Sequence, residues 1–380
     1  MSYLLPNYQR ANREFVSGAG GYLIDSEGQQ YLDFSSGIGV ANLGYDHPRV
    51  KAAVTGQLEK LWHTPNLYQN SLQEQVAAQL IGEKNYQAFF CNSGTEANEA
   101  ALKLIRKASG KAKIITFIDS FHGRTFGSMS ATGQAKIHGG FGAIVPGFVY
   151  LPYNDLEVFE AALDEAVGGV LLELIQGEGG VLPADPEWVK AVQRSCQEKG
   201  ILLAVDEVQT GMGRTGTLYL SEQYELMPDI ITLAKGLGNG LPVGAMLAKK
   251  ELAIDFGPGT HGSTFGGNLV AMSAASAVLG QLNESDFLTC VKRKGDVLKA
   301  LLEEELLPLA TVVDVRGIGF MIGVEVTLPP SEVVETMAQA GVVALTAGHN
   351  VVRLLPPLTL TVEQLKTGVA VLKESLAKYE

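Results

Sequence analysis

The sequence predicts an α/β protein: a mostly parallel central sheet with helices on both faces, joined to a smaller α+β unit built from both chain ends. Three observations lead there. Through the middle of the chain, short apolar runs alternate with longer stretches of helical periodicity. Two of those runs, residues 201–205 and 229–234, each deliver one ionisable group at the carboxyl end, Asp206 and Lys235. Toward the ends, the pattern changes to paired strands around glycine-rich turns.

Residues 21–25 and 30–34 flank Ser26-Glu27-Gly28 and predict a hairpin. Residues 87–91 and 113–117 read as strands on either side of a helix over 95–108. On that helix Ala97, Ala100, Ala101, Leu104 and Ile105 form one apolar stripe, and Glu99 and Lys103 are expected to face outward as an i,i+4 pair. Residues 169–175 predict a further strand. Asp185-Pro186 supplies a cap and a first-turn residue, and Gly200 closes that helix before the strand at 201–205. In the last third, residues 312–316 and 320–326 read as strands around glycines, and 331–340 and 362–378 as helices. Residues 1–50 with 271–380 are assigned to the small unit and 51–270 to the large one. No repeat or low-complexity segment interrupts this division.

The 380 residues are 46% hydrophobic and 18% charged, enough apolar material for a large core in two or three folding units. A formal net charge of −12 without a basic block argues against nucleic acid or an anionic membrane as partner. Cys91, Cys196 and Cys290 are scattered and odd in number, which points to a reducing compartment rather than a disulfide scaffold. The first residues carry no signal-peptide pattern, and no apolar run reaches membrane-spanning length, so a cytoplasmic location is expected. His47, His63, His138, His261 and His349 form no ligand pattern, and no metal site is expected. There is no Gly-x-Ser-x-Gly segment, and Cys91 reads as a buried strand-end residue, so hydrolase chemistry has no support.

Open α/β sheets bind ligands at the carboxyl ends of their strands. A lysine that bonds an aldehyde, and an acid that pairs with a pyridinium nitrogen, are a protein's two main contributions to pyridoxal-phosphate chemistry. Lys235 and Asp206 are those residue types in that setting, although either alone reads as a solvated strand-end residue. The third feature is Asn92-Ser93-Gly94-Thr95-Glu96, between a strand and a helix. Gly94 lets the backbone approach a ligand, Ser93 and Thr95 offer hydroxyls, and the helix start offers unpaired N–H groups to an anion. The same residues read equally well as a capping box, Ser93-x-x-Glu96, which satisfies the helix without a ligand. The loop is neither a Walker loop nor a dinucleotide fingerprint, so nucleotide binding has no support.

With these residues in place, the chain resembles the class III (ornithine, acetylornithine and 4-aminobutyrate) aminotransferases, fold type I pyridoxal-phosphate enzymes. The likeness runs from about Gly21 to Pro357. It is carried by residues 92–101, Phe121-His122-Gly123-Arg124-Thr125, Gln176-Gly177-Glu178-Gly179-Gly180, residues 206–216, Ala234-Lys235-Gly236, Ser263-Thr264-Phe265-Gly266-Gly267-Asn268 and Val352-Arg353-Leu354-Leu355-Pro356-Pro357. Within the family, Ser130-Ala131-Thr132-Gly133-Gln134, Val145-Pro146-Gly147-Phe148 and Pro152-Tyr153-Asn154-Asp155 resemble the acetylornithine branch.

The resemblance implies pyridoxal 5′-phosphate as cofactor and a role for each matching residue. Lys235 would hold the cofactor covalently and then move a proton between the substrate carbon and the cofactor. Asp206 would keep the pyridine nitrogen protonated. Phe121 would stack on one ring face and Val208 pack on the other, with Gln209 near the ring hydroxyl and His122 lining the site. Plain core packing is the commoner fate of a Phe or a Val. Ser93, Gly94 and Thr95 would hold the phosphate, and Thr264 would reach it from a neighbouring subunit, which implies an obligate homodimer with shared active sites. Arg124 would clamp the carboxylate far from the reacting carbon. Arg353 would bind the α-carboxylate of 2-oxoglutarate, and Glu178 would neutralise it when the amine donor enters. The alternative for Glu178 and Arg353 is a permanent structural pair elsewhere.

Ser263 is expected near the substrate, from the cross-subunit loop. Ile38 stands where ornithine aminotransferases carry a tyrosine that helps bind the free α-amine. Isoleucine cannot make that hydrogen bond, which disfavours ornithine without separating acetylornithine from 4-aminobutyrate. Tyr45 replaces the usual histidine, and Leu174 stands where Glu-Pro is common, departures that bear on loop geometry and substrate fit. The expected reaction converts N2-acetyl-L-ornithine and 2-oxoglutarate into N-acetyl-L-glutamate 5-semialdehyde and L-glutamate, serving arginine biosynthesis. Alternative donors are 4-aminobutyrate, succinylornithine and acylated lysine precursors. An aminomutase or racemase, and a cofactor-binding regulator without catalysis, are the readings from other classes.

Overall fold

The computed structural model describes residues 3–379. The amino-terminal strands β1 (Phe15–Ala19), β2 (Tyr22–Asp25) and β3 (Gln30–Asp33) form an antiparallel meander. The middle of the chain carries β4 (Tyr86–Cys91), β5 (Lys113–Phe117), β6 (Phe148–Leu151) and β7 (Val167–Leu172). A short ribbon of β8 (Ile175–Gln176) and β9 (Leu182–Pro183) follows, then β10 (Leu202–Asp206), β11 (Ile230–Leu233) and β12 (Gly244–Lys249). The last third adds β13 (Val312–Ile318), β14 (Met321–Val326), β15 (Val342–Val343), β16 (Leu345–Ala347) and β17 (Val351–Leu354).

Seven strands make the central sheet, in the order β4-β12-β11-β10-β7-β5-β6. The sheet is mostly parallel as expected; β12 alone runs against its neighbours β11 and β4. Every residue of β7 is buried, and so is β10 after its first. Such continuous apolar strands follow from helices covering both sheet faces. β15 pairs in parallel with β3, so one small sheet contains segments from both ends of the chain, and β13-β14-β17-β16 form another.

The helix Gly94–Ser109 shows how the sequence sets these elements. Ser93 caps it by accepting the Glu96 N–H, and Gly110 ends it in the left-handed region at φ 67°. Its stripe of Ala97, Ala100, Ala101, Leu104 and Ile105 is fully buried on the sheet. The expected Glu99–Lys103 pair does not form. Glu99 Oε1 instead accepts the Thr125 hydroxyl at 2.5 Å and the Ser128 N–H at 3.0 Å, while Lys103 Nζ donates to the Thr260 carbonyl at 3.1 Å. A backbone donor at the start of a neighbouring helix is a better partner than an exposed ion pair, which gains little in water.

The helix Pro186–Lys199 follows its sequence signals closely, with Asp185 accepting from two first-turn N–H groups, Pro186 at the first position and Gly200 at φ 64°. The strand expected over 169–175 is broken. β7 stops at Leu172, and Glu173 turns its carboxylate onto the N–H groups of Phe121 (2.9 Å) and Gly177 (3.3 Å) before β8 resumes the extended path.

Candidate active site

β10 and β11 are parallel neighbours, with Asp206 opposite Thr232. Asp206 is the last residue of β10, and Lys235 follows β11 by two positions. The two side chains therefore leave adjacent strands at the same sheet edge, and both line a cavity of about 400 Å³. Lys235 starts a short 3₁₀ turn with its own backbone at φ 44°, a conformation that costs a non-glycine residue of order 1 kcal/mol and is found at functional sites. Burial, reinforced by the Arg353 charge, lowers the Lys235 amine to about 8 against the opposing pull of Glu178, Asp206 and Glu173. A lysine so placed carries a usable share of neutral, nucleophilic amine near physiological pH.

Asp206 is buried and held from three sides. Its Oδ2 accepts from Asn98 Nδ2 at 2.7 Å and His122 Nδ1 at 2.8 Å, and its Oδ1 accepts the Val208 N–H at 3.0 Å. His122 Nε2 is buried without a protein partner. Phe121, Val208, Gln209, Ser93, Gly94 and Thr95 also line the cavity. Gly94 sits so close to Val208 that a Cβ there would meet Val208 Cγ1 at 2.8 Å, so glycine is what lets the helix start and this wall coexist. The cap is a modified box. Glu96 Oε2 reaches past Ser93 to the Asn92 N–H at 2.6 Å, while Ser93 Oγ takes the Glu96 N–H at 3.3 Å.

Arg124 lines the cavity, exposed, with its guanidinium 5.7 Å from the centre of the Phe121 ring. Arg353, on buried β17, donates through Nη1 to Glu178 Oε1 at 2.6 Å and to Gln209 Oε1 at 3.2 Å. Burial pushes the Glu178 carboxyl up, yet the charge and hydrogen bond of Arg353 outweigh it and hold that carboxyl below the ordinary range. Gly177 is pressed against Gln209, where a Cβ would meet its amide at 2.6 Å. The Glu178 loop therefore meets the cavity wall at a glycine.

Three predicted residues lie apart from this cluster within one chain. Ile38 is 44% exposed in a left-handed backbone turn at φ 68°. Ser263 Oγ accepts from Asn92 Nδ2 at 3.1 Å, at the rim of the cradle. Thr264 lines a separate cleft of about 910 Å³ together with His63 and Leu67. The departures are accommodated locally: the Tyr45 hydroxyl donates to Asp33 Oδ2 at 2.7 Å, and Leu174 is fully buried.

Two residues escaped the sequence reading. Asn98 lies among the apolar stripe positions and looks like helix interior, yet its amide reaches Asp206. Glu173 lies inside what reads as a strand, yet it lines the cavity, and burial together with the Asp206 charge raises it to about 7 against the pull of His122 and two N–H groups. A polar residue at a position whose period demands an apolar one was the available signal for both.

The sequence pattern of the Aminotransferase class-III family matches residues 5–376. An acetylornithine aminotransferase of Streptococcus mutans is 56% identical over 374 residues, covering 98% of each chain. The solved N-acetylornithine aminotransferase of Stenotrophomonas maltophilia superposes with a TM-score of 0.84 at 34% identity, over 97% of each chain. The ornithine aminotransferase of Toxoplasma gondii, solved with partial occupancy of PLP at its active site, gives a TM-score of 0.94 at 32% identity, over 99% of this chain and 92% of that one. The chain belongs to the class III aminotransferases, pyridoxal-phosphate enzymes that move an amino group between an amine and a keto acid.

The residues present fit that cofactor. A buried amine of lowered basicity faces the cavity, a carboxylate stands at the end of the adjacent strand, an aromatic ring and a valine form walls, and a helix start opens onto the same space.

Proposed function

We propose that this chain transfers the side-chain amine of N2-acetyl-L-ornithine to 2-oxoglutarate, giving N-acetyl-L-glutamate 5-semialdehyde and L-glutamate, as in arginine biosynthesis. The observation that carries the reading is the Arg353–Glu178 pair, 2.6 Å apart and near enough to the buried Lys235 for both charges to act on its amine. Pyridoxal 5′-phosphate, when bound, supplies an aldehyde and an electron-withdrawing ring. Lys235 Nζ would hold the cofactor through its aldehyde carbon and, once displaced there by the incoming substrate amine, would be the free base that carries the proton from the substrate carbon. Asp206 would keep a proton on the ring nitrogen. Ser93, Gly94 and Thr95 would hold the phosphate, and Phe121, Val208, His122 and Gln209 would hold the ring and its hydroxyl.

The two substrates differ at one end. 2-Oxoglutarate brings a carboxylate beside its reacting carbon, for which Arg353 is the bidentate partner, with Arg124 at the far carboxylate. An ω-amine donor brings no carboxylate there, and Glu178 then neutralises Arg353 so that no buried charge stands unpaired. Gly177 and Gly179, where a Cβ would meet Gln209 at 2.6 Å and the Asp119 carbonyl at 2.8 Å, let the Glu178 loop pass close to both walls. Acylation of the donor's α-amine is matched by an apolar Ile38. Ornithine is the second reading, since the Toxoplasma gondii structure is named for it.

Thr264 lies outside the cavity of its own chain, and Phe265 beside it is 61% exposed, which supports a homodimer in which Thr264 and Ser263 serve the partner's site. Among the described residues no helix is long and apolar enough to cross a membrane, and the three cysteines are free, which supports a cytoplasmic enzyme. The test is half-reaction spectroscopy on the purified protein with acetylornithine, ornithine, acetyl-lysine and 4-aminobutyrate as donors. Acetylornithine is expected to convert the bound cofactor fastest, and faster conversion by ornithine would overturn the donor assignment.

A further inference from the structure

The Asp206 carboxylate offers about four lone-pair directions, and the protein fills three of them. Both on Oδ2 are taken, by Asn98 Nδ2 and by His122 Nδ1, and one on Oδ1 is taken by the Val208 N–H. The remaining direction belongs to Oδ1. Asn98 is in turn fully committed. Its second amide hydrogen goes to the His122 carbonyl at 2.8 Å, and its Oδ1 accepts the Thr232 hydroxyl at 2.7 Å. Asn98 is 1% exposed and Thr232 is fully buried, so water competes for neither.

The Asp206 carboxylate and the His122 carbonyl can only accept, so both take the Asn98 NH₂ group, and the amide oxygen is left to the Thr232 hydroxyl, which tethers it. Asn98 also belongs to the helix whose first turn is Gly94 and Thr95, one turn further along. A single rigid element thus touches the phosphate cradle at its start and the ring-end acid one turn later.

We infer that Asn98 and Thr232 are positioning residues that lock Asp206 with Oδ1 toward the cavity and hold it in register with the phosphate cradle. This rests on the assignment of Asp206 to the pyridine nitrogen. The Thr232 hydroxyl never meets the cofactor; it acts through Asn98, which acts through Asp206.

The experiment uses the full-length protein and pyridoxal 5′-phosphate, comparing Thr232→Val, Thr232→Ser, Asn98→Ala, the Asn98→Ala/Thr232→Val double variant and Asp206→Ala. Cofactor affinity is read by absorbance titration of the stripped protein. The pH midpoint of the bound cofactor's visible absorbance is read separately. Thr232→Val keeps the shape of the buried side chain and should weaken cofactor retention about tenfold, the effect of unmooring one hydrogen bond to a charged group. It should also move the absorbance midpoint upward, because a ring nitrogen less firmly protonated makes the rest of the ring system easier to protonate. Thr232→Ser should restore both. The double variant should lose no more than Asn98→Ala alone, since the two residues act in series. Native-like affinity and midpoint in Thr232→Val and Asn98→Ala, with Asp206→Ala impaired, would overturn the inference and leave the Asp206 assignment standing. Native-like behaviour of Asp206→Ala would remove that assignment and the inference with it. Should Asn98→Ala fail to fold, the valine and serine variants at 232 decide alone.

Discussion

Arg353 Nη1 stands 2.6 Å from Glu178 Oε1, so a buried cation on β17 is matched by a carboxylate from a loop flanked by glycines. Breaking a buried pair from one side leaves the other charge uncompensated, which costs more than the pair itself contributes. Glu178→Gln should therefore lower kcat/KM for the ω-amine donor by roughly 10–100-fold while sparing the half-reaction with 2-oxoglutarate. Separate measurement of the two half-reactions checks this, and equal losses in both would argue for a fixed structural pair.

The converse holds for the arginine. Arg353→Gln removes the partner of the carboxylate next to the reacting carbon, worth roughly 100-fold for a charge-assisted contact. The loss should fall on 2-oxoglutarate and on L-glutamate as donor, with a smaller effect on the acylated amine. A uniform loss over all substrates would contradict the assignment.

Lys235 should also leave a signature in the stability of the cofactor-free protein. Its folded pKa, about 8, lies below the ordinary 10.5, so holding the amine charged in the interior carries its full cost below pH 8. The cost fades as pH rises from 8 toward 10.5, where the unfolded chain also sheds the proton. Lys235→Met in the stripped protein should gain roughly 3 kcal/mol at pH 7, and the gain should shrink through that window. Denaturant melts of both proteins across pH measure it; a difference that stays flat with pH would show that the amine is not held in this way.

How much of this was legible in the sequence follows from what each signal measures. Lys235 and Asp206 were readable because apolar runs mark buried strands and the last residue of such a run has to emerge at the sheet edge. The helix ends were readable because Ser93, Asp185 and Gly200 act within one turn of their own backbone. Glu99 misled because periodicity shows which face a side chain takes and is blind to the Ser128 N–H waiting on another element. Asn98 and Glu173 were missed for the same reason. Their partners, Asp206 and Thr232 for one, Phe121 and Gly177 for the other, come from remote stretches of chain that only the fold brings together.

Glu173 supplies a further pH test. Burial raises its carboxyl from the ordinary 4.5 to about 7, so its charged form penalises the folded state. Below pH 4.5 the group is protonated folded and unfolded and the penalty is absent; it grows between 4.5 and 7 and is complete above. Relative to Glu173→Gln, the native protein should therefore lose stability as pH climbs through that interval. A constant difference between the two proteins from pH 4.5 to 7 would refute the raised value.

The claim on which the rest depends is that the Lys235 amine forms the covalent bond to pyridoxal 5′-phosphate. Borohydride reduction of the loaded protein, followed by proteolysis and mass spectrometry of the peptides, tests it directly. One phosphopyridoxyl adduct is expected, on the peptide containing Lys235, and none there in Lys235→Met. A stable adduct on any other lysine, or cofactor released intact after reduction, would contradict it.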